Sequence, residues 1–199
     1  MARSDLFDVK KQLTFYGAYH NHPVNIAIHT VFVPAILWSS LVMSSRLPVP
    51  SFFPDIHVVF NKYFAFDFDW PALWVIANLA YYYMLEPTAA LLYAPEMILI
   101  GLSAAAFSRQ PDGFKTALAV HVASWLFQFL GHGVAEHRSP ALLDNILGAL
   151  VLAPFFVHLE ILFLLGYKPA LRDSINQSIE AELVKIKAAE AASKQKKAQ

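Results

Sequence analysis

Long apolar blocks alternate with short polar stretches along the chain. Residues 26–43 contain no formal charge, residues 70–107 are apolar apart from a break near Glu86 and Pro87, and residues 116–134 and 141–166 are again apolar. A helix of about 20 apolar residues crosses a hydrocarbon core of roughly 30 Å. The pattern therefore predicts an all-α integral membrane protein, a bundle of about 4–6 transmembrane or re-entrant helices.

The two ends of the chain differ from these blocks. Residues 6–18 carry apolar side chains at helical spacing with charges between them, which predicts an N-terminal amphipathic helix on a membrane surface. From Lys168 onward the chain is charged, alanine-rich and poor in large apolar groups, which indicates a solvated helix that frays into disorder. We therefore divide the chain into a membrane-embedded helical domain, residues 1–167, and a charged, partly disordered C-terminal tail, residues 168–199.

Two segments between the ends leave the topology open. Residues 44–69 are rich in proline and charge and indicate a loop, with an interfacial aromatic helix around FFPDIHVVFNKYF. Residues 141–166, interrupted by Pro154, form either one kinked span or two half-helices folded back. Lysines and arginines before the first span and after the last place both termini in the cytoplasm. That orientation needs an even number of crossings, so one apolar block must be re-entrant or doubled, and residues 141–166 are the candidate.

Composition removes several classes of function. Apolar residues make up 57% of the chain, and the 15 basic and 15 acidic residues cancel, so no broad field attracts nucleic acid. The absence of cysteine excludes disulfides, thiolate metal ligands and a cysteine nucleophile. The polar N-terminus does not have the apolar core of a signal peptide. Any metal site must therefore be built without thiolates.

The first candidate for chemistry is the stretch YHNHPVNIAIH, residues 19–29. Pro23 suits the first turn of a helix that has Asn21 or His22 as its N-cap. His20 then lies in the lead-in to that helix and can fold back towards His29. The sequence therefore predicts that these two imidazoles approach one centre.

The second candidate is the stretch TALAVHVASWLFQFLGHGVAEHRSP. His121, Gln128, His132 and Glu136 fall on one helical stripe, and the last two are one turn apart, which suits a shared metal or an imidazole oriented by the carboxylate. His121 lies about 16 Å along the axis from His132, so at most one of the two ligates a given metal.

Each of these polar residues also has a purely structural interpretation. Single histidines in apolar helices are usually packing residues, as we expect for His57, His121 or His158 taken alone. Gln128 is expected to make an interhelical hydrogen bond. For His20, His29 and His132 jointly we favour a metal site, which suits Fe(II), Zn(II), Mn(II) or Cu(II).

The stretches FYGAYHNHPVNIAIHTVFVP, SWLFQFLGHGVAEHRSPALLDN and LVLAPFF resemble a family of small membrane proteins typified by the fungal 2-hydroxy fatty acid dioxygenase of the endoplasmic reticulum. The resemblance extends from about residue 6 to residue 168. The family pattern falls on Tyr19, His20, Pro23, Asn25, His29, Gly131, His132, Gly133, Glu136, Pro140 and Asn145. It implies an Fe(II)-dependent enzyme of fatty acid α-oxidation, active in phytosphingosine degradation and located in the endoplasmic reticulum membrane.

The resemblance also implies roles for residues. His20, His29 and His132 would hold Fe(2+), with Glu136 or His121 as a fourth ligand or as a residue that orients the ligands. The partners would be a 2-hydroxy long-chain fatty acid, O₂ and membrane lipid. Tyr19 or Asn25 would fix the substrate carboxylate and Arg138 would attract it.

Three other functions stay open at the level of sequence. A zinc membrane hydrolase would use a metal-bound water. A haem- or lipid-binding bundle would place two histidines on either side of a haem. A membrane scaffold would use the histidines only for packing.

Overall fold

The structure is a computed structural model that describes residues 5–136 and 146–197, with side-chain surroundings for residues 5–136 and 150–188. The helices within these ranges are α1 (Val9–Tyr19), α2 (Pro23–Ser44), α3 (Trp70–Leu85), α4 (Pro87–Ser108), α5 (Gly113–Leu130), α6 (Ile146–Leu164) and α7 (Pro169–Lys197). A 3₁₀ turn, Asp5–Phe7, precedes α1, and a π-helical turn, Gly131–Glu136, extends α5. Two short strands, β1 (His57–Val59) and β2 (Ala65–Asp67), lie between α2 and α3. The all-α prediction is confirmed.

Within the residues that the structure describes, three helical segments are long and apolar enough to cross a membrane: Pro23–Ser44, Pro87–Ser108 and Gly113–Glu136. Their outward faces carry large apolar side chains, such as Leu91 and Leu126, which are 63% and 59% exposed. Large apolar side chains exposed on helices of this length are suited to lipid. The chain is therefore an integral membrane protein, as its pattern predicts, and the break expected near Glu86 separates α3 from α4.

Helix α2 occupies the centre of the bundle. It packs most extensively against α5 and also contacts α4 and α6. The rings of Phe32 and Phe127 stack between α2 and α5 with their centroids 4.4 Å apart. Because α2 begins close to the end of the π-helical turn, the two histidine-rich stretches meet at one end of the bundle.

The loop after α2 differs from the prediction, because the expected interfacial aromatic helix is absent from residues 52–64. The segment forms an antiparallel hairpin in which Val58 pairs with Phe66. β-branched and aromatic residues favour this extended form. Asn61 closes the turn, since its side-chain oxygen accepts hydrogen bonds from the backbone N–H groups of Tyr63 and Phe64 at 2.8 and 3.1 Å.

Helix α6 answers one of the questions left by the sequence. Residues 146–164 form a single helix with Pro154 inside it, so within the described part of the block the two half-helices are not observed. The number of membrane crossings therefore stays a prediction.

The C-terminal segment is helical, but its first half is not a solvated tail. Ile175 and Ile179 of α7 are 3% and 8% exposed, and α7 packs along α1. A Cβ atom at Gly17 would overlap the side chain of Ile179, so glycine permits the close approach of the two helices. The amphipathic α1 thus buries its apolar face on protein. The domain boundary at residue 167 stays a prediction.

A buried carboxylate joins the α3–α4 corner to the start of α7. Glu86 is 5% exposed and accepts hydrogen bonds of 2.6 Å from the Ala89 N–H, the Tyr167 hydroxyl and the Lys168 ammonium group. Burial acts to raise the pKa of Glu86, but these three hydrogen bonds outweigh it and hold the pKa below its usual 4.5. Lys168 has a φ of 40°, a left-handed conformation that is unusual for lysine and is held here by the ion pair.

Candidate metal centre

His20 is placed by the C-terminus of α1. It is the C-cap residue, and its backbone N–H donates to the Gly17 carbonyl. Its ring stacks on Tyr16 with centroids 3.9 Å apart, and its Nδ1 lies 2.8 Å from the Tyr16 carbonyl oxygen. The side chain is therefore fixed in orientation and buried, with 5% exposure.

His29 is placed by the first turns of α2. Pro23 begins the helix and His22 is its N-cap, accepting a hydrogen bond from the Val24 N–H through Nδ1 at 3.2 Å, so the second of the two predicted caps is confirmed. The Nδ1 of His29 lies 2.9 Å from the Asn25 carbonyl oxygen. Like His20, it is 5% exposed.

His132 completes the group from the π-helical turn that follows α5. Its ring centroid is 4.7 Å from that of His20 and 5.0 Å from that of His29. One ring nitrogen from each histidine lies within 4.8 Å of the other two, and all three residues are buried. The predicted convergence of His20, His29 and His132 is therefore present in the structure.

The tautomers of two of these histidines are fixed by their neighbours. A carbonyl oxygen only accepts hydrogen bonds, so the Nδ1 atoms of His20 and His29 must both carry protons. Both Nε2 atoms of the neutral rings then present lone pairs, and they lie 2.9 Å apart. Two facing lone pairs repel each other unless a cation lies between them. The arrangement therefore fits a metal ion, because backbone carbonyls on the far ring nitrogens are the usual way to aim a metal-binding histidine.

A proton could also bridge these two nitrogens, but burial opposes it. Burial, and secondarily the neighbouring His29, lower the pKa of His20 well below its ordinary value of 6.5. A buried neutral imidazole is the form that ligates a metal. His132 Nδ1 is likewise buried with no hydrogen-bond partner among the described residues. The donor set thus fits a divalent transition metal with nitrogen ligands.

Glu136, predicted as a ligand or an orienting residue, has a different set of contacts. Its Oε1 accepts hydrogen bonds from the backbone N–H groups of Asn21 and His22 at 2.7 Å each, and from Asn25 Nδ2 at 3.2 Å. A carboxylate at a helix N-terminus satisfies unpaired N–H groups and interacts favourably with the helix dipole. Glu136 therefore ties the π-helical turn to the segment between His20 and α2, which fixes the distance between the three histidines.

Gly131, the residue before His132, allows the π-helical turn to pack closely against the start of α2. A Cβ atom at Gly131 would lie 2.5 Å from Asn25 Oδ1 and 3.3 Å from Ile28 Cδ1. Asn25 is completely buried, and its Nδ2 also lies 3.5 Å from the Tyr19 carbonyl oxygen. Asn25 therefore packs between the two halves of the site and has a structural place there.

Two further predicted residues, His121 and Tyr19, lie outside the histidine group. His121 hydrogen-bonds with both ring nitrogens, to Ser39 Oγ at 3.0 Å and from Trp125 Nε1 at 2.9 Å. Tyr19 places its ring against Phe15, with centroids 5.3 Å apart. Arg138 lies outside the described residues. Of the two candidates for a fourth position, Glu136 is thus adjacent to the site and His121 belongs to a separate contact between α2 and α5.

An apolar cavity of about 620 Å³ opens from the histidines into the bundle. Its walls come from α2, α3, α5 and α6, and it follows α2 from His29 to Ser44 and ends at Leu47, just beyond that helix. The stretch from His29 to Ser44 alone is about 22 Å long at 1.5 Å per residue. A single lipid leaflet is about 15 Å deep, half of the roughly 30 Å hydrocarbon core, so a long acyl chain fits this length.

The sequence interpretation missed one residue of this cavity. Gln128 lines it one turn before His132, and its amide nitrogen and oxygen are both buried without a hydrogen-bond partner among the described residues. The expected interhelical hydrogen bond is therefore not observed there. Its spacing of four residues from His132 was the available signal.

Fold and site together define a helical membrane protein with three buried imidazoles at the head of an acyl-sized apolar cavity. The chain belongs to the family described as 2-hydroxy-palmitic acid dioxygenase Mpo1-like, whose sequence model matches residues 6–165. It is 36% identical over 176 residues to a protein of Saccharomyces cerevisiae named 2-hydroxy-palmitic acid dioxygenase MPO1, covering 88% of this chain and 91% of that relative. No solved structure matches. The family predicted from the two sequence motifs is thus confirmed.

Proposed function

We propose that this protein is an Fe(II)-dependent dioxygenase that converts a long-chain 2-hydroxy fatty acid and O₂ into the fatty acid one carbon shorter, CO₂ and water. The carbon atoms C1 and C2 lose four electrons in this reaction, which reduce O₂ completely. No nicotinamide or other electron donor is required, in keeping with a sequence that has no nucleotide-binding motif. Membership of the dioxygenase family supports the class of reaction.

The observation that carries the proposal is the pair of Nε2 lone pairs, 2.9 Å apart, on His20 and His29. With His132 these residues would hold the iron through nitrogen atoms alone. Ferrous iron held there would supply Lewis-acid chemistry towards the oxygens of the substrate and the electrons that make O₂ reactive. Three protein ligands leave coordination positions for substrate and O₂, which is the requirement of an oxygenase site.

The protein residues supply binding, orientation and the exclusion of water. The cavity would take the acyl chain, so that C1 and C2 are held beside the three imidazoles. Its apolar walls keep bulk water from the reacting carbons. Glu136 and Asn25 hold the ligating segments at a fixed separation through the hydrogen bonds described above. Binding of the substrate head by Tyr19 and Arg138 stays part of the proposal.

Two alternatives make different demands on the site. A haem held between two histidines would leave no room for a third imidazole beside them, whereas the ring nitrogens of His20, His29 and His132 lie within 4.8 Å of one another. The haem alternative is therefore disfavoured. A zinc hydrolase would accept the same three imidazoles, but membership of a dioxygenase family favours the iron enzyme.

The reaction is tested with protein purified without oxygen and loaded with iron or zinc. We expect O₂ uptake with 2-hydroxypalmitate, release of CO₂ from C1 and formation of the C15 acid in equal amounts, with iron only. Turnover without O₂, or with zinc in place of iron, would overturn the proposal in favour of a hydrolase.

We further propose that the protein is a multi-pass protein of the endoplasmic reticulum membrane with both termini in the cytoplasm. The three membrane-length helices support membrane insertion, and the distribution of lysine and arginine supports the orientation. Protease digestion of sealed microsomes tests it with tags at both ends. Removal of both tags is expected, and protection of either tag would contradict the orientation.

A further inference from the structure

Gln128 is a buried amide with no protein partner in the described part of the chain. It is 4% exposed, and neither its Nε2 nor its Oε1 has a hydrogen bond. An amide buried in this way costs about 1–3 kcal/mol relative to one that is hydrogen-bonded. A buried polar group that the protein leaves unpaired calls for a partner from outside the protein.

The position of this amide restricts what that partner can be. Gln128 lines the cavity four residues before His132, about 6 Å deeper along the axis of α5. The lining residues beyond it on α2 are mainly apolar, and the hydroxyls of Ser40 and Ser44 donate to carbonyls of their own helix at 2.7 and 3.2 Å. Gln128 thus lies where the polar head of an acyl ligand gives way to its chain.

We propose that Gln128 binds the α-hydroxy carboxylate head of the substrate and selects 2-hydroxy acids over plain fatty acids, an inference that rests on the proposed function. The amide presents a donor and an acceptor side by side. An α-hydroxy acid presents, on adjacent carbons, a carboxylate that only accepts and a hydroxyl that can donate. The amide N–H therefore donates to the carboxylate, and the amide oxygen accepts from the hydroxyl.

A plain fatty acid fills only half of this arrangement. Its carboxylate can take the amide N–H, but the amide oxygen is left buried and unpaired. Sites built to bond a substrate hydroxyl discriminate strongly against analogues that lack it, because the unpaired group pays its full desolvation cost. The Gln128 side chain thus contributes to the selectivity for the 2-hydroxyl group, in addition to any contribution from a metal.

A structural role for Gln128 and a substrate-binding role predict different effects of its replacement on protein stability. If the amide joined two helices, its replacement by an apolar side chain of similar volume would destabilise the protein. If its partner is the substrate, Gln128→Met removes an unpaired buried amide and leaves the ligand-free protein equally stable or more stable.

The test compares wild type, Gln128→Met, Gln128→Glu and the control Gln110→Met, which makes the same substitution at an exposed position before α5. Binding of 2-hydroxypalmitate and of palmitate is measured at equilibrium in lipid nanodiscs, together with iron content, thermal midpoint, kcat and KM. We expect Gln128→Met to reduce the preference for the 2-hydroxy acid by about 10- to 100-fold, with normal iron content and an undiminished midpoint. Gln128→Glu should weaken binding of both acids, since its charge repels their carboxylates.

The outcomes separate this inference from the proposed function. A Gln128→Met protein that keeps the wild-type preference, or that loses it only together with iron or stability, overturns the role of Gln128 while the reaction stands. A wild-type protein that binds the two acids equally also overturns the role of Gln128 and leaves the reaction standing, whereas an iron-loaded wild-type protein that does not turn over 2-hydroxypalmitate overturns the proposed function. Wild-type behaviour of Gln110→Met alongside loss of preference in Gln128→Met supports the inference.

Discussion

The two glycines beside His132 allow a sharp test of how the site is built. Gly131→Ala would place a Cβ atom 2.5 Å from Asn25 Oδ1, where ordinary contact begins at 3.4 Å. Asn25 cannot yield easily, because it is fully buried and its amide nitrogen is bonded to Glu136 at 3.2 Å. A Cβ atom at Gly133 meets no atom of the described residues within 4 Å, so Gly133→Ala is the matched control in the same turn.

The expected magnitude follows from the packing. Overfilling a close-packed site costs about 1–3 kcal/mol. Alanine in a helix is more favourable than glycine by roughly 0.5–1 kcal/mol. At position 133 we expect this gain without a packing cost. The thermal midpoint of Gly131→Ala should therefore lie several degrees below that of Gly133→Ala, at roughly 2–4 °C per kcal/mol for a chain of this size.

Two readouts are needed, because the same contact positions His29. Thermal unfolding of metal-free protein in mild detergent measures the packing cost, and iron retained after dialysis measures the geometry of the site. We expect Gly131→Ala to have a lower thermal midpoint and to retain less iron than wild type, and Gly133→Ala to match wild type in iron retention without a loss of stability. If the two variants were equal in midpoint and in iron, the close contact between Asn25 and Gly131 would not hold the site together.

Three further predictions follow from other parts of the structure. Glu136→Ala should lower iron retention and cost about 0.5–2 kcal/mol in unfolding free energy, because the backbone N–H groups of Asn21 and His22 at the start of α2 lose their acceptor. Glu136→Gln keeps an acceptor oxygen and should retain most of the iron, whereas equal iron loss in both variants would indicate direct ligation. Folding lowers the pKa of Glu86, so the stabilisation that its carboxylate contributes is present above pH 4.5 and is lost as the pH falls through the pKa of the folded protein. The free energy of unfolding should therefore decline more steeply with acidification in wild type than in Glu86→Gln. Parallel pH profiles of the two proteins would refute this. Ser40 lines the cavity, so the larger side chain of Ser40→Phe should shorten the cavity to about 16 Å from His29. This variant should lower kcat/KM more for a C24 than for a C12 2-hydroxy acid. An equal effect at both chain lengths would indicate that the acyl chain lies elsewhere.

The sequence was sufficient for those parts of the site that depend on local patterns. The apolar blocks predicted the helices, and the position of Pro23 after His20 predicted that His20 would turn back towards His29. The convergence with His132 followed from placing both stretches at one membrane face. These inferences need only helical periodicity and the position of a proline.

Other features depended on tertiary contacts that periodicity does not encode. The α-helical stripe placed Glu136 one turn beyond His132, but the π-helical turn Gly131–Glu136 has wider spacing, and the carboxylate meets the start of α2 instead. His121 lies on the same stripe, yet its ring is taken up by Ser39 and Trp125. The hairpin at residues 57–67 was mistaken for a helix because its aromatic residues also suit a membrane interface.

The central claim is that His20, His29 and His132 together hold one iron. Iron per chain should be measured after anaerobic purification of wild type, of the three single alanine variants, and of His121→Ala as a control that removes a histidine outside the group. We expect about one iron in wild type and His121→Ala, and little in each of the other three, since removing one of three ligands weakens binding steeply. Full iron content in any of the three variants, or its loss in His121→Ala alone, would contradict the account.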